Sequence, residues 1–140
     1  FMYQHILLAA DGSENSLRAA KEAVKIAKIN PETMVTIIFV IDMVKVKTEV
    51  LHASSNEGLY MERRQKIVPI EQLFKDEQIK CQVEMIHGSP GPEIIKYANT
   101  QNVDLVVIGS RGLNSLQEMV LGSVSHKVMK RVQCPAMIVK

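Results

Sequence analysis

Five short runs of branched apolar residues alternate with stretches whose apolar residues recur at helical spacing. That alternation predicts repeated strand–helix–strand units around a parallel sheet, an α/β fold. The runs are His5 to Ala10, Met34 to Ile41, Cys81 to His87, Val103 to Ile108 and Pro135 to Val139. The second is almost continuously apolar through Val35, Ile37, Ile38, Phe39 and Val40, as a parallel strand covered on both faces requires. In the third, Cys81, Val83, Met85 and His87 alternate with Gln82, Glu84 and Ile86, which predicts a less buried strand at a sheet edge. Between the runs, Leu17, Ala20, Val24 and Ala27 mark one face of a helix that Asn30-Pro31 stops. A second helix is expected from about Glu57 to Asp76 with Ile67, Ile70, Leu73 and Phe74 inward. A third follows Gly88-Ser89-Pro90-Gly91-Pro92, with Pro92 near its first position and Ile94, Ile95 and Ala98 inward. A fourth covers Ser123 to Arg131, with Val124, Val128 and Val132 inward. Asp42 to Asn56 mixes polar and apolar residues without a period and reads as a long connection.

At 140 residues and 46% apolar composition, the chain has material for one core, and a single domain over residues 2–140 is expected. Phe1 precedes Met2 and is set apart as an added residue. The 17 basic and 15 acidic residues are spread along the chain, and 4% aromatics with no Trp offer little for base stacking. A nucleic-acid partner is therefore not expected. No apolar run approaches the roughly 20 residues of a membrane span. Cys81 and Cys134 lack paired or zinc-ligand spacing and are expected to be buried thiols of a protein in the reducing cytoplasm. His5, His52, His87 and His126 show no metal-binding spacing, so no dedicated metal centre is expected.

Chemistry concentrates in Gly109-Ser110-Arg111-Gly112, nine further residues, and Gly122-Ser123-Val124-Ser125. This segment leaves a buried strand at its carboxyl end and finishes at a helix start, where open α/β sheets place ligands. Glycines there are expected to permit close backbone approach and positive φ, and the free N–H groups at the helix start suit a phosphate. The same residues also serve simply as a turn and a helix cap. Neither G-x-G-x-x-G nor a P-loop is present, which argues against a dinucleotide-dependent dehydrogenase and a P-loop nucleotidase.

The spacing Gly109-x2-Gly112-x9-Gly122-Ser123 resembles the ATP-binding motif of the universal stress protein family. Asp11-Gly12-Ser13, Val40-Ile41-Asp42, Gly88-Ser89-Pro90, Val106-Val107-Ile108-Gly109 and Cys134-Pro135 also follow the family's order, so the resemblance covers nearly the whole chain. It implies a doubly wound sheet of five parallel strands in the order 3-2-1-4-5, helices on both faces, and a ligand crevice between strands 1 and 4. It further implies that Ala10 and Val40 line an adenine, that Asp11 lies beside the ribose and a metal-associated phosphate, and that Gly109, Gly112, Gly122, Ser123, Val124 and Ser125 hold the phosphates. Asp11 with Glu14 three residues on equally has the form of a helix capping box, and Val40 equally suits the core. Arg111 fits either a phosphate contact or a solvent-facing loop.

The function expected on this basis is an ATP-binding stress or regulatory module acting on an unidentified protein partner, with Mg²⁺ accompanying the phosphates. The alternative is a slow ATP hydrolase or nucleotidyl-transfer enzyme. No lysine stands inside the glycine motif and no base is identifiable beside it, so no catalytic residue is assigned. The apolar last run, at a sheet edge in that strand order, is expected to pair with a second copy in a homodimer.

Overall fold

The computed structural model describes residues 3–42, 56–111 and 121–140. Five strands form one parallel sheet: β1 (His5–Ala9), β2 (Met34–Ile41), β3 (Lys80–His87), β4 (Leu105–Gly109) and β5 (Ala136–Val139). Their order is β3-β2-β1-β4-β5. Successive connections thus run outward from β1 to β2 and β3, then return across β1 to β4 and β5. Ile6 stands between Val35 and Leu105, and Leu8 between Ile37 and Val107. The three central strands are nearly sealed from water, because a parallel strand carries apolar side chains on both faces. Most of the connection read at Asp42 to Asn56 lies outside the described residues.

Two cores result, one on each face. Ile6, Leu8, Val35, Ile37, Phe39, Leu105 and Val107 pack under α1 (Glu14–Ala27) and, through Ile70 and Phe74, under α3 (Val68–Asp76). Leu7, Ala9, Ile38, Val106 and Ile108 pack under α4 (Pro90–Thr100) and α5 (Ser123–Arg131), which contribute Ile94, Ala98 and Val128. Helix α1 turns a stripe of small residues inward, with Ala19, Ala20 and Ala23 fully buried. Leu17 and Val24, expected on that face, flank it half-buried. One hydroxyl interrupts the apolar run of β2: Thr36 is fully buried, and its Oγ1 meets Nε2 of His5 at 2.8 Å and accepts from the Gln82 amide at 2.9 Å.

Two local expectations are corrected. The single helix expected from Glu57 to Asp76 is two, α2 (Asn56–Gln65) and α3, separated at Lys66 and Ile67. Pro69 supplies the reason, since it has no N–H to donate to the Gln65 carbonyl and its ring crowds that carbonyl. The break lets Ile67 turn fully into the core. In α4 it is Pro90, not Pro92, that occupies the first helical position, with the missing N–H tolerated at either place.

Among the described residues Phe74 is the largest side chain that is fully buried. Phe74→Ala removes its ring from the junction of α3 with the sheet, and its denaturation free energy is expected to fall by about 3–5 kcal/mol. A urea titration giving a loss under about 1 kcal/mol would show that α3 does not anchor this core.

Candidate functional site

Strand β4 ends at Gly109, directly beside the turn that follows β1. No side chain fits at Gly109, where an added Cβ would lie 2.8 Å from Asn15 Cβ and 3.0 Å from that residue's carbonyl carbon and oxygen. Glycine therefore lets the first turn of α1 press against the end of β4. Asn15 is itself buried, with Oδ1 accepting from the Arg18 guanidinium. The segment then returns to the same place: the Gly122 N–H donates to the Ser110 carbonyl at 2.7 Å, and the buried Ser125 hydroxyl donates to the Gly109 carbonyl at 2.7 Å. These two bonds hold the start of α5 against the end of β4. Gly122 is tight as well, since a Cβ there would lie 3.3 Å from the Ser110 carbonyl oxygen and 3.4 Å from Arg111 Cα.

The glycines act through this lack of room and not through backbone hand. Gly122 has φ −61°, and among the described residues the glycines with positive φ are Gly12 and Gly88. The expectation of positive φ at Gly109 and Gly122 is thus corrected, while Gly112 lies outside the described residues. Gly122 offers no side chain to cap α5, so among the described residues no side chain caps the N–H groups of Ser123, Val124 and Ser125 at its first turn. Ser123 is exposed and Val124 half-buried. The Ser125 hydroxyl points inward to Gly109, leaving its backbone N–H as the group available to a ligand.

Across the crevice, Asp11 is half-buried and its Oδ1 accepts from the Ser13 N–H at 2.9 Å. It does not cap α1. That position belongs to Ser13, whose hydroxyl accepts from the Ser16 N–H at 3.2 Å while the Ser16 hydroxyl donates to the Ser13 carbonyl at 2.9 Å. The carboxylate of Asp11 shapes the turn by holding the residue two positions on. Ala10 extends β1 by donating its N–H to the Ile38 carbonyl at 3.0 Å. Its methyl group lies in the core beneath α1, whereas Val40 is half-buried against the core beneath α4. The two thus lie near the carboxyl ends of adjacent strands with side chains on opposite faces. Arg111 is half-buried at the mouth of the loop. Neither the burial of Asn15 nor its contact with Gly109 has a signature in the local sequence, because it arises from the approach of two elements distant in the chain.

Elsewhere the chemistry is quieter. Cys81 and Cys134 are half-buried and not sealed as expected, and burial pushes both thiols above their usual range, so both are poor nucleophiles near neutral pH. A groove of about 450 Å³ between α2 and α3, lined by Tyr60, Met61, Arg64, Val68, Glu71 and Lys75 among others, includes none of the candidate site residues. Among the described residues no helix is long and apolar enough to cross a membrane.

The model of the universal stress protein family matches residues 2–140. Universal stress protein MJ0531 of Methanocaldococcus jannaschii is 33% identical over 142 residues, covering 99% of this chain and 83% of its own. The solved structure of MJ0577, from the same organism, superposes with a TM-score of 0.88 at 31% identity, covering 100% of this chain and 97% of the other. A universal stress protein in complex with cAMP shares the fold at a TM-score of 0.74 and 24% identity, covering 99% and 98% of the two chains. The chain accordingly belongs to the universal stress protein family.

Proposed function

We propose that this universal stress protein is an ATP-binding regulatory module of the stress response, in which occupancy of the β1–β4 crevice changes the protein's state or its choice of a protein partner. The observation that carries this reading is the pair of bonds from Gly122 to Ser110 and from Ser125 to Gly109, which set an uncapped helix start at the carboxyl end of β4. A helix start of that kind suits phosphate through its N–H groups and its positive dipole end. In this reading Ser123, Val124 and Ser125 hold the phosphates, and Gly109, Gly112 and Gly122 keep the loop backbone close to them. Asp11 faces the ribose, Ala10 and Val40 border the adenine, and Mg²⁺ accompanies the phosphate oxygens. The cAMP complex of a family neighbour supports a nucleotide ligand. Cytoplasmic residence accords with the two unpaired cysteines.

ATP is then expected to stabilise the fold by roughly 4 kcal/mol at about 1,000 times its dissociation constant. Gly122→Val drives branched carbons into the Ser110 and Arg111 backbone and is expected to lose most of that gain. Lys21→Ala, on the exposed side of α1, keeps it. An equal ATP-dependent melting shift in Gly122→Val and the unsubstituted protein would refute the site.

The rival reading, slow ATP hydrolysis or nucleotidyl transfer, needs a group to activate water or a second substrate. The described residues at the crevice supply one carboxylate, Asp11, already engaged with the Ser13 N–H. Phosphate release by the purified protein is therefore expected well below the roughly 1–1,000 per second of ordinary enzymes. Turnover within that range, abolished by Asp11→Ala, would establish the enzyme.

We also propose a homodimer through β5. Among the described residues β5 is bonded on one side alone, to β4, with the Val106 N–H donating to the Pro135 carbonyl and the Ser110 N–H to the Val139 carbonyl. In a parallel ladder of that phase the N–H and C=O groups of Ala136 and Ile138 point away from β4, free to pair with a second copy. Light scattering at tens of micromolar is expected to give a dimer, and Ile138→Pro, which removes one outward donor without touching the β4 ladder, a monomer that still binds ATP. A monomeric wild type would refute the interface.

A further inference from the structure

The glycine motif contains no lysine, yet the fold brings one against the turn after β1 from another part of the chain. Lys66 stands at the break between α2 and α3, its N–H donating to the Arg63 carbonyl at 3.2 Å, and the next residue, Ile67, is locked in the core. Its side chain runs along the turn after β1. A Cβ placed on Gly12 would lie 3.2 Å from both Cβ and Cδ of Lys66 and 3.6 Å from its Cγ. Gly12, at φ +82°, is a position that side chains rarely tolerate, so the aliphatic stem of the lysine takes the space a side chain would fill. The ammonium group lies two bonds beyond Cδ, and the residue is exposed. It forms no hydrogen bond or ion pair with the described residues.

Nearby, Arg18 is engaged, donating to Asn15 and to the Lys140 carbonyl, while the stem of Lys127 lies against Gly91 of α4 and Arg111 is half-buried at the mouth of the loop. The crevice meanwhile presents the Asp11 carboxylate, which repels an anion more strongly the more charges that anion carries. A lysine whose stem is already held in place offsets that repulsion at little cost in side-chain freedom.

We propose that Lys66 faces the phosphates of the bound nucleotide and gives the site its preference for nucleoside di- and triphosphates over monophosphates. This rests on the nucleotide-binding reading above. Calorimetric titration of ATP and AMP into wild type, Lys66→Met and Lys66→Arg tests it. Lys66→Met retains a stem over Gly12 and is expected to melt like wild type without nucleotide. Its affinity for ATP is expected to fall about tenfold while that for AMP is unchanged, and Lys66→Arg is expected to restore ATP binding. If Lys66→Met binds ATP as tightly as wild type, or loses ATP and AMP equally, the role of Lys66 is overturned and the nucleotide site stands. If wild type binds no adenine nucleotide, both are overturned.

Discussion

A strand that is apolar on both faces has to be covered twice, and the rest of this molecule answers to that requirement. With β2, β1 and β4 sealed between two helical layers, the chain must send some connections over one face and the remainder over the other. The change of direction falls between β1 and β4, the place where such sheets open a crevice at their carboxyl ends. The location of the proposed site is thus a product of core formation. The residues that equip it have only to be placed on the two loops that part there.

Close approach equips it. Gly109 admits the first turn of α1, Gly122 admits the Ser110 carbonyl, and the Ser125 hydroxyl closes the circuit from α5 to β4. Each contact joins segments far apart in sequence at distances a methyl group would disturb. The loop between them leaves and returns through fixed points, so the helix start is held relative to the strand ends whatever course the intervening residues take. The proposed site needs anchoring of that kind, to keep several backbone donors aimed at one small anion.

Much of the fold was legible in the amino-acid order because strands buried on both faces write continuous apolar runs, and edge strands such as β3 write alternation. Strand order was not written there; it came from resemblance to a family. What local pattern missed has definite causes. The apolar period through Ile67, Ile70 and Phe74 looks helical across Pro69, but periodicity does not register a missing N–H. The pair Asp11 and Glu14 has capping form, yet Ser13 holds the cap, because the turn geometry of Gly12 places that hydroxyl over the helix start. For Gly109 and Gly122, spacing gave the wrong reason: crowding by Asn15 and Ser110 depends on tertiary approach. Lys66 was invisible for the same cause, as it enters from a helix junction more than fifty positions from Gly12 in an otherwise ordinary charged stretch.

Thr36 has a bearing on folding fidelity. Its hydroxyl joins His5 on β1 and Gln82 on β3, so one buried side chain ties three adjacent strands at a single level. Apolar runs such as those of β1 and β2 resist sliding poorly on their own, since one branched residue replaces another with little loss. Slippage of β2 by one residue would carry Thr36 to the opposite face, among the side chains packed under α1 and Phe74, with its hydroxyl stripped of both partners. The hydroxyl therefore acts as an alignment key, making misregistered sheets costly in a region where hydrophobic burial alone barely distinguishes them.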